Sequence, residues 1–560
     1  MGNKSLLVLL LASLFILLPW DATAQRKEKH RSEPERASHV GTSPKLVVGI
    51  VVDQMRYDYI TRFWDQFGDG GFRRLANEGY NCRNNHFNYV PTFTAPGHAS
   101  VYTGTTPATH GIIGNDWYDK ESGKEVYCVE DGNYRSVGTT SGAGQMSPHR
   151  LETTTITDQL RLHTNMRGKV IAISLKDRAA VLPGGHIANA AYWFQGGDEG
   201  NWISSSFYMS ELPKWVRDFN AAKSVSQYKK PWNTLKNIND YVVSIPDNNK
   251  YEGLFKGENA PVFPHDLPSL WMENGQYSLL KSTPFGNSLT VDFALVALDA
   301  EKLGEDDITD FLAVSFSSTD YVGHMYGVAS KEVEDTYLRL DKDLERLLDA
   351  LDKKVGKGEY TLFLTADHAA VNVPQYLKDL NVVAGYMDAG NLKSKLKEFA
   401  KFTFGTDDLI RNISNFQVFL DHKVMYNLDL SPQEVEETLA KELLGYSGVY
   451  RVYTGYQMWH NGYTEGMANS VQNGFNQKRS GDVIFVMSPA TLTGSRTGTS
   501  HGSPFSYDTH VPLLFYGKGI QTGNTVKRTV IPDIAPTIAA LLGIEFPSGT
   551  TGVPISEVLK

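Results

Sequence analysis

Cysteine is nearly absent: in 560 residues only Cys82 and Cys128 occur, too few for a disulfide-stapled scaffold and wrongly spaced for a thiolate metal site. Either they form a single Cys82–Cys128 disulfide or they are two buried free thiols, and neither alternative gives them a catalytic role. Long apolar runs are also scarce. The one present, Leu6 to Leu18, follows Lys4 and precedes Ala22-Thr23-Ala24, the charged, apolar and small-residue pattern of a cleaved secretory signal over residues 1–24. No cysteine stands at the cleavage site to carry a lipid, and no later stretch is apolar enough to span a bilayer. A secreted or periplasmic product with no membrane association after cleavage is expected. Positive charge is not in excess, since 54 Lys and Arg face 63 Asp and Glu for a net charge of −9; nucleic acid is a poor fit as partner. Internal repeats and low-complexity tracts are lacking too.

What remains is the composition of a globular enzyme, with 41% hydrophobic, 21% charged and 11% aromatic residues, in the ordinary range for a chain with a large core. Residues 25–44 mix Lys, Arg, Glu, Ser and His without apolar periodicity and read as a flexible leader. From Lys45 the chain changes. Lys45–Val52 is a near-continuous β-branched run of the kind buried on both faces of a parallel sheet. Similar runs recur at Lys169–Leu175, Phe311–Phe316, Tyr360–Thr365, Val483–Met487 and Val511–Tyr516. Helical patterns lie between several of them, the longest from about Lys331 to Leu351. The expected fold is α/β, a doubly wound, mostly parallel central sheet with helices on both faces. Two insertions interrupt the catalytic domain of residues 45–560: an aromatic-rich cap at about 183–287, and a small α+β lobe at about 385–476 with a capping box at Ser431 and Glu434. An apolar helix through Leu542, packed on the sheet edge, closes the chain.

In such sheets ligands bind beyond the carboxyl ends of strands. Reading those ends gives Asp53 after the first run, Lys176 and Arg178 after the second, Asp320 and His324 after the third, and Asp367-His368 after the fourth, with His501 in a Gly/Ser/Thr-rich loop. Alone, each has an ordinary reading as a helix cap, a solvated pair or an exposed histidine. Together, aspartates and imidazoles in a three-plus-three arrangement suit two divalent cations, and oxygen and nitrogen donors without thiolate point to zinc, with manganese second. The stretch Thr94-Ala95-Pro96-Gly97-His98 supplies a nucleophile. Pro96 suits a first helical turn, so the Thr94 hydroxyl sits at a helix N-terminus, where an anion is favoured but an alcohol stays inert unless activated. By itself, the commoner role of such a threonine is a simple cap.

Val52-Asp53-Gln54, Thr94–His98, Thr109–Asn115, Ser318-Thr319-Asp320 with Gly323-His324, Thr365–His368 and Ser500-His501-Gly502 resemble, in order, the motif set of the alkaline phosphatase superfamily. The particular likeness is to its monomeric, threonine-nucleophile, phosphate-irrepressible alkaline phosphatases of Bacteroidetes-type bacteria. The resemblance implies two Zn2+, one held by Asp53, Asp367, His368 and Thr94, the other by Asp320, His324 and His501. It also implies a monomer that forms a covalent phosphothreonine and releases phosphate from small-molecule monoesters. His98 and His110 fall inside the motifs as structural residues, and His510 yields the last metal position to His501 on the Ser/Thr-His-Gly pattern.

A monoester phosphate carries three non-bridging oxygens and nearly two negative charges, which cations at Lys176 and Arg178 and a neutral donor at Asn115 can satisfy beyond the metals. A diester has one charge fewer, so the Lys-x-Arg pair favours monoesters. A nucleotide pyrophosphatase/phosphodiesterase would share the metals and the threonine without that pair. A metal-independent glycan- or peptide-binding protein is the non-enzyme alternative.

Overall fold

The computed structural model describes residues 43–560. The expected signal and all but the end of the expected leader lie outside the described residues. The core is a ten-stranded sheet in the order Gly523–Val530, Tyr80–His86, Leu513–Gly517, Tyr360–Thr365, Leu46–Val52, Asp310–Phe316, Val170–Ser174, Ala190–Gln195, Asn201–Ser205, Ser136–Val137. The neighbouring strands from Tyr360–Thr365 through Ala190–Gln195 are parallel, and antiparallel pairings extend both flanks. Central strands are buried along their whole length, which is why they were written as unbroken apolar runs instead of an alternation.

Helices cover the sheet. Lys331–Leu351 forms where its apolar period was read, its N-terminus capped by Ser330 Oγ accepting from Val333 N at 3.1 Å. Thr94–Thr103 is buried at every residue. It lies across the first strand, where Gly49 makes room: a Cβ there would stand 2.5 Å from Tyr102 Oη and 2.7 Å from Phe363.

Several expectations change. The aromatic excursion from about 183 begins with two strands of the main sheet, Ala190–Gln195 and Asn201–Ser205. Val483–Met487 belongs instead to the small lobe, in a four-stranded sheet with Ile410–Ser414, Gln417–Leu420 and Val449–Thr454. Ser431 caps its helix by accepting from Glu434 N at 3.5 Å, and the reciprocal half of the capping box does not form. The last helix, Ile534–Leu542, packs on Thr94–Thr103 and on Ile156–His163. The disulfide alternative is corrected: Cys82 and Cys128 are separate free thiols, both buried. Cys82 lies in an inner strand of the sheet and Cys128 in the segment whose N–H donates to Asn115 O at 2.9 Å. Burial pushes the Cys82 thiol up to about 12, far from the thiolate that pairing would need.

Candidate metal centre and active site

Registry brings the strand ends to one rim, with Val52 level with Phe316, Val51 with Thr365 and Ser174 with Ser315. The chain leaving each strand turns polar. Asp53 follows Val52, its N–H donating to Phe316 O at 3.0 Å, and Thr319 Oγ1 fixes that turn by donating to Asp53 O at 2.6 Å. The helix Ser318–Tyr326 sets Asp320 and His324 one turn apart, with His324 Nε2 3.1 Å from Asp320 Oδ1. Asp367 and His368 lie in irregular chain just past Thr365, so adjacent side chains can converge, His368 Nε2 coming 3.4 Å from Asp367 Oδ2. His501 Nε2 is 3.8 Å from Asp320 Oδ1. Its ring stacks on His368 with centroids 3.4 Å apart, so the two expected donor sets adjoin through one imidazole from each.

The same tautomer is imposed on all three histidines. His324 Nδ1 donates to Thr499 O at 2.7 Å, His501 Nδ1 to Thr92 O at 2.6 Å and His368 Nδ1 to Ala369 O at 3.1 Å. Each Nε2 lone pair is thereby aimed into the site, the second-shell arrangement typical of metal-ligating imidazole. Burial, helped by His324, lowers His501 to about 4, and burial with His501 beside it holds His368 well below the ordinary range; both rings are neutral and able to ligate. The carboxylates tell the same story. Burial pushes Asp320 up, but His324 and Lys176 outweigh it and hold it well below the usual range. Burial and the neighbouring Asp53 push Asp367 well above, so the pair resists full ionisation unless a cation arrives. Asp53 Oδ1, Asp367 Oδ2 and His368 Nε2 are buried and have no hydrogen-bond partner among the described residues. Each such group costs about 1–3 kcal/mol if left unmet. Asp320, His324 and His501 bring their ligand atoms within 4.8 Å of one another, as do Asp53, Asp367 and His98. This donor set fits divalent metal ions.

Thr94 is the first residue of its helix and 1% exposed. Its N-terminal turn is held by Asn115, whose Oδ1 accepts from Ala95 N at 2.9 Å, which leaves the amide Nδ2 as donor. Lys176 Nζ lies 2.6 Å from Asp53 Oδ2 and 2.6 Å from Asp320 Oδ2, one carboxylate from each expected set. Burial would lower its pKa, but Asp320 and Asp53 raise it, so the ammonium stays charged. Arg178 begins the next helix, its Nη1 donating to Tyr127 Oη at 3.0 Å while its buried Nε has no partner among the described residues.

Two positioning residues, Gln54 and Gly97, escaped the sequence reading, while His98 was expected. Gln54 holds both carboxylate sets: its N–H donates to Asp367 Oδ1 at 3.1 Å and its Nε2 to Asp320 Oδ1 at 2.6 Å. It does so at φ 63°, a left-handed conformation a non-glycine residue adopts at a cost of about 1–3 kcal/mol. Gly97 lets the Thr94 helix touch the Asp367 backbone. His98 lies between them, Nδ1 donating to Thr94 O at 2.9 Å and Nε2 meeting Ser315 Oγ at 2.8 Å; with both nitrogens engaged it orients the helix start instead of ligating, the structural role expected of it. Gln54→Leu, which keeps bulk and removes the donor, is expected to weaken metal binding about 10–100-fold with little loss of melting temperature. Metal titration followed by isothermal calorimetry measures this, and unchanged affinity would rule out the role.

Parallel strands that gather Asp and His donors beside a helix-terminal threonine define an α/β protein with a metal-ion centre at its strand ends. A family model described as type I phosphodiesterase / nucleotide pyrophosphatase matches residues 47–508. A Myroides odoratus protein named calcium-transporting ATPase is 47% identical over 94% of this chain and 96% of its own. Alkaline phosphatase PafA of Elizabethkingia meningoseptica is 46% identical over 92% and 94%. The crystal structure of wild-type alkaline phosphatase PafA superposes with a TM-score of 0.89, covering 92% of this chain and 99% of that one at 46% identity. The chain belongs to the type I phosphodiesterase / nucleotide pyrophosphatase family of the alkaline phosphatase superfamily. Among the described residues no helix is long and apolar enough to cross a membrane.

Proposed function

We propose that the chain hydrolyses small-molecule phosphate monoesters through a phosphothreonine on Thr94, as a secreted or periplasmic monomer with two zinc ions. It is a phosphatase: relatives named alkaline phosphatase match it over nearly its whole length. Asp53, Asp367, His368 and Thr94 would hold one zinc, and Asp320, His324 and His501 the other. Bound there, the two ions supply Lewis acidity that lowers the pKa of the Thr94 hydroxyl and of the later attacking water and offsets charge on the departing oxygen. The rest falls to the chain. Thr94 Oγ1 forms a bond to phosphorus as the ester P–O bond breaks and the alcohol leaves; water then cleaves the threonine ester, releasing inorganic phosphate and restoring the hydroxyl. Asn115 Nδ2, Lys176 and Arg178 would satisfy non-bridging oxygens.

The observation that carries this reading is the set of three imidazoles, each committed by a backbone bond to present Nε2, facing buried aspartate oxygens that lack partners. The family description favours a second reading, phosphodiester or pyrophosphate cleavage. The Lys-x-Arg pair separates the two. In Lys176→Ala/Arg178→Ala, kcat/KM for a monoester is expected to fall about 10²–10³-fold, and for a diester far less. Equal losses on both substrates would defeat the monoester assignment.

A further inference from the structure

The small lobe has its own apolar core, in which Leu396, Ile410, Val418, Leu439 and Phe485 are buried together, yet one of its turns reaches out to the catalytic rim. Ile410–Ser414 and Gln417–Leu420 pair as far as Ser414 and Gln417, and Asn415 and Phe416 alone join them. Both joining residues have left-handed backbone, at φ 52° and 61°. A two-residue turn of this kind favours Asn followed by Gly. Phenylalanine in the glycine position is strained, and strain kept at one place in a fold suggests a task there.

Both side chains of the turn leave the lobe. Phe416 tilts against Phe93, the residue before Thr94, with ring centroids 6.2 Å apart, and Phe93 in turn meets the His501 ring edge-on at 5.7 Å. A Cβ on Gly502 would stand 2.7 Å from the Phe93 ring and 3.0 Å from the Phe416 ring. Asn415 Nδ2 donates to Asp116 O at 2.6 Å, and a Cβ on Gly114 would stand 2.7 Å from that same nitrogen. Asn415 therefore lies against the residue on either side of Asn115.

Asn115 needs such a hold. It precedes Asp116–Asp119, which pairs with Lys124–Tyr127 in a two-stranded ribbon outside the main sheet, and a lone ribbon is marginally stable. The lobe braces this ribbon further out, where Tyr118 meets Phe419 edge-on at 5.4 Å and Asn412 Nδ2 donates to Glu125 Oε1 at 3.3 Å. Asn415, bonded beside Asn115, is the brace next to the site. We propose that Asn415 is a positioning residue for phosphate: it holds the backbone at Gly114 and Asp116 so that Asn115, its Oδ1 accepting from Ala95 N, keeps Nδ2 aimed at a non-bridging oxygen. The proposal rests on the phosphatase reading given above, in which Asn115 contacts the phosphate. Asn415 touches no reacting atom and acts through Asn115.

The test is a double-mutant cycle on the full-length enzyme, with kcat/KM for a monoester measured for wild type, Asn415→Gly, Asn115→Ala and the pair. Glycine removes the side chain and suits the left-handed backbone, so the turn itself survives. Asn115→Ala alone should lose about 10²-fold, the scale for one donor to a developing charge. Asn415→Gly is expected to lose about tenfold, part of the roughly 10²-fold that a misplacement near 1 Å costs. Once Asn115 is already alanine, the same change should cost less than about twofold, because changes that act through one contact do not add. Metal content and melting temperature should stay at wild-type values. Wild-type kcat/KM in Asn415→Gly overturns the proposal, as does an equal loss in both backgrounds, which a merely structural role would give. Where Asn115→Ala is as active as wild type, the role of Asn115 falls together with the proposal; where it is impaired and the cycle is additive, the proposal alone falls. Should Asn415→Gly not fold, Asn415→Asp, which keeps the shape and lacks the amide donor, goes through the same cycle and decides.

Discussion

Thr94→Ala is expected to lower monoester kcat/KM by at least about 10³-fold, the scale seen when a nucleophile acting as part of a unit is removed. Its metal content should be close to wild type, because Thr94 would be only one of the donors and the aspartates and histidines stay in place. The distinguishing measurement is acid quench with 32P-labelled substrate: wild type should retain label on threonine and the variant none. The fold does not depend on the hydroxyl. Asn115 secures the helix start through Ala95 N and His98 through Thr94 O, both backbone contacts that an alanine at position 94 retains. A variant that keeps wild-type turnover, or one that folds and loses all metal, would remove Thr94 from its role.

Gly97→Ala should be nearly as damaging for a different reason. A Cβ at position 97 would stand 2.2 Å from Asp367 O, 2.8 Å from its carbonyl carbon and 2.8 Å from its Cβ. These are mostly backbone atoms that cannot rotate aside, so the Thr94 helix and the chain past Tyr360–Thr365 must separate. A displacement near 1 Å between nucleophile and ligand costs about 10²-fold in rate. We expect kcat to fall by that order with metal affinity reduced, since Asp367 itself is shifted, while the melting temperature falls by only a few degrees. A wild-type rate in Gly97→Ala would show that the contact has slack.

Much of the metal centre was legible because its residues sit at a place the fold makes conspicuous. Strands buried on both faces are written as apolar runs, and the first polar residue after such a run, as with Asp53 after Val52, marks the rim. The flanking strands were not legible. Ala190–Gln195 and Asn201–Ser205 form an antiparallel pair separated by Gly196, Gly197 and Gly200, and with their tryptophans and short length they read as an irregular surface excursion. Val483–Met487 has the apolar composition of a central strand but is claimed by a different sheet, a choice settled by tertiary pairing and invisible to local pattern. Gln54 shows the limit most clearly. Its grip on Asp367 and Asp320 depends on a positive φ and on two segments 313 and 266 residues distant; nothing within its own neighbourhood announces either.

The helix that begins at Thr94 is anchored at its far end by a segment remote in sequence. Thr551 N and Gly552 N donate to Gly104 O at 2.9 and 3.0 Å, and Gly104 is the residue that ends that helix. The seat of the Thr94 hydroxyl is therefore secured at both ends, by Asn115 at its start and by this distant clasp at its close, so loosening either would let the helix shift against the strand ends without removing a single metal donor.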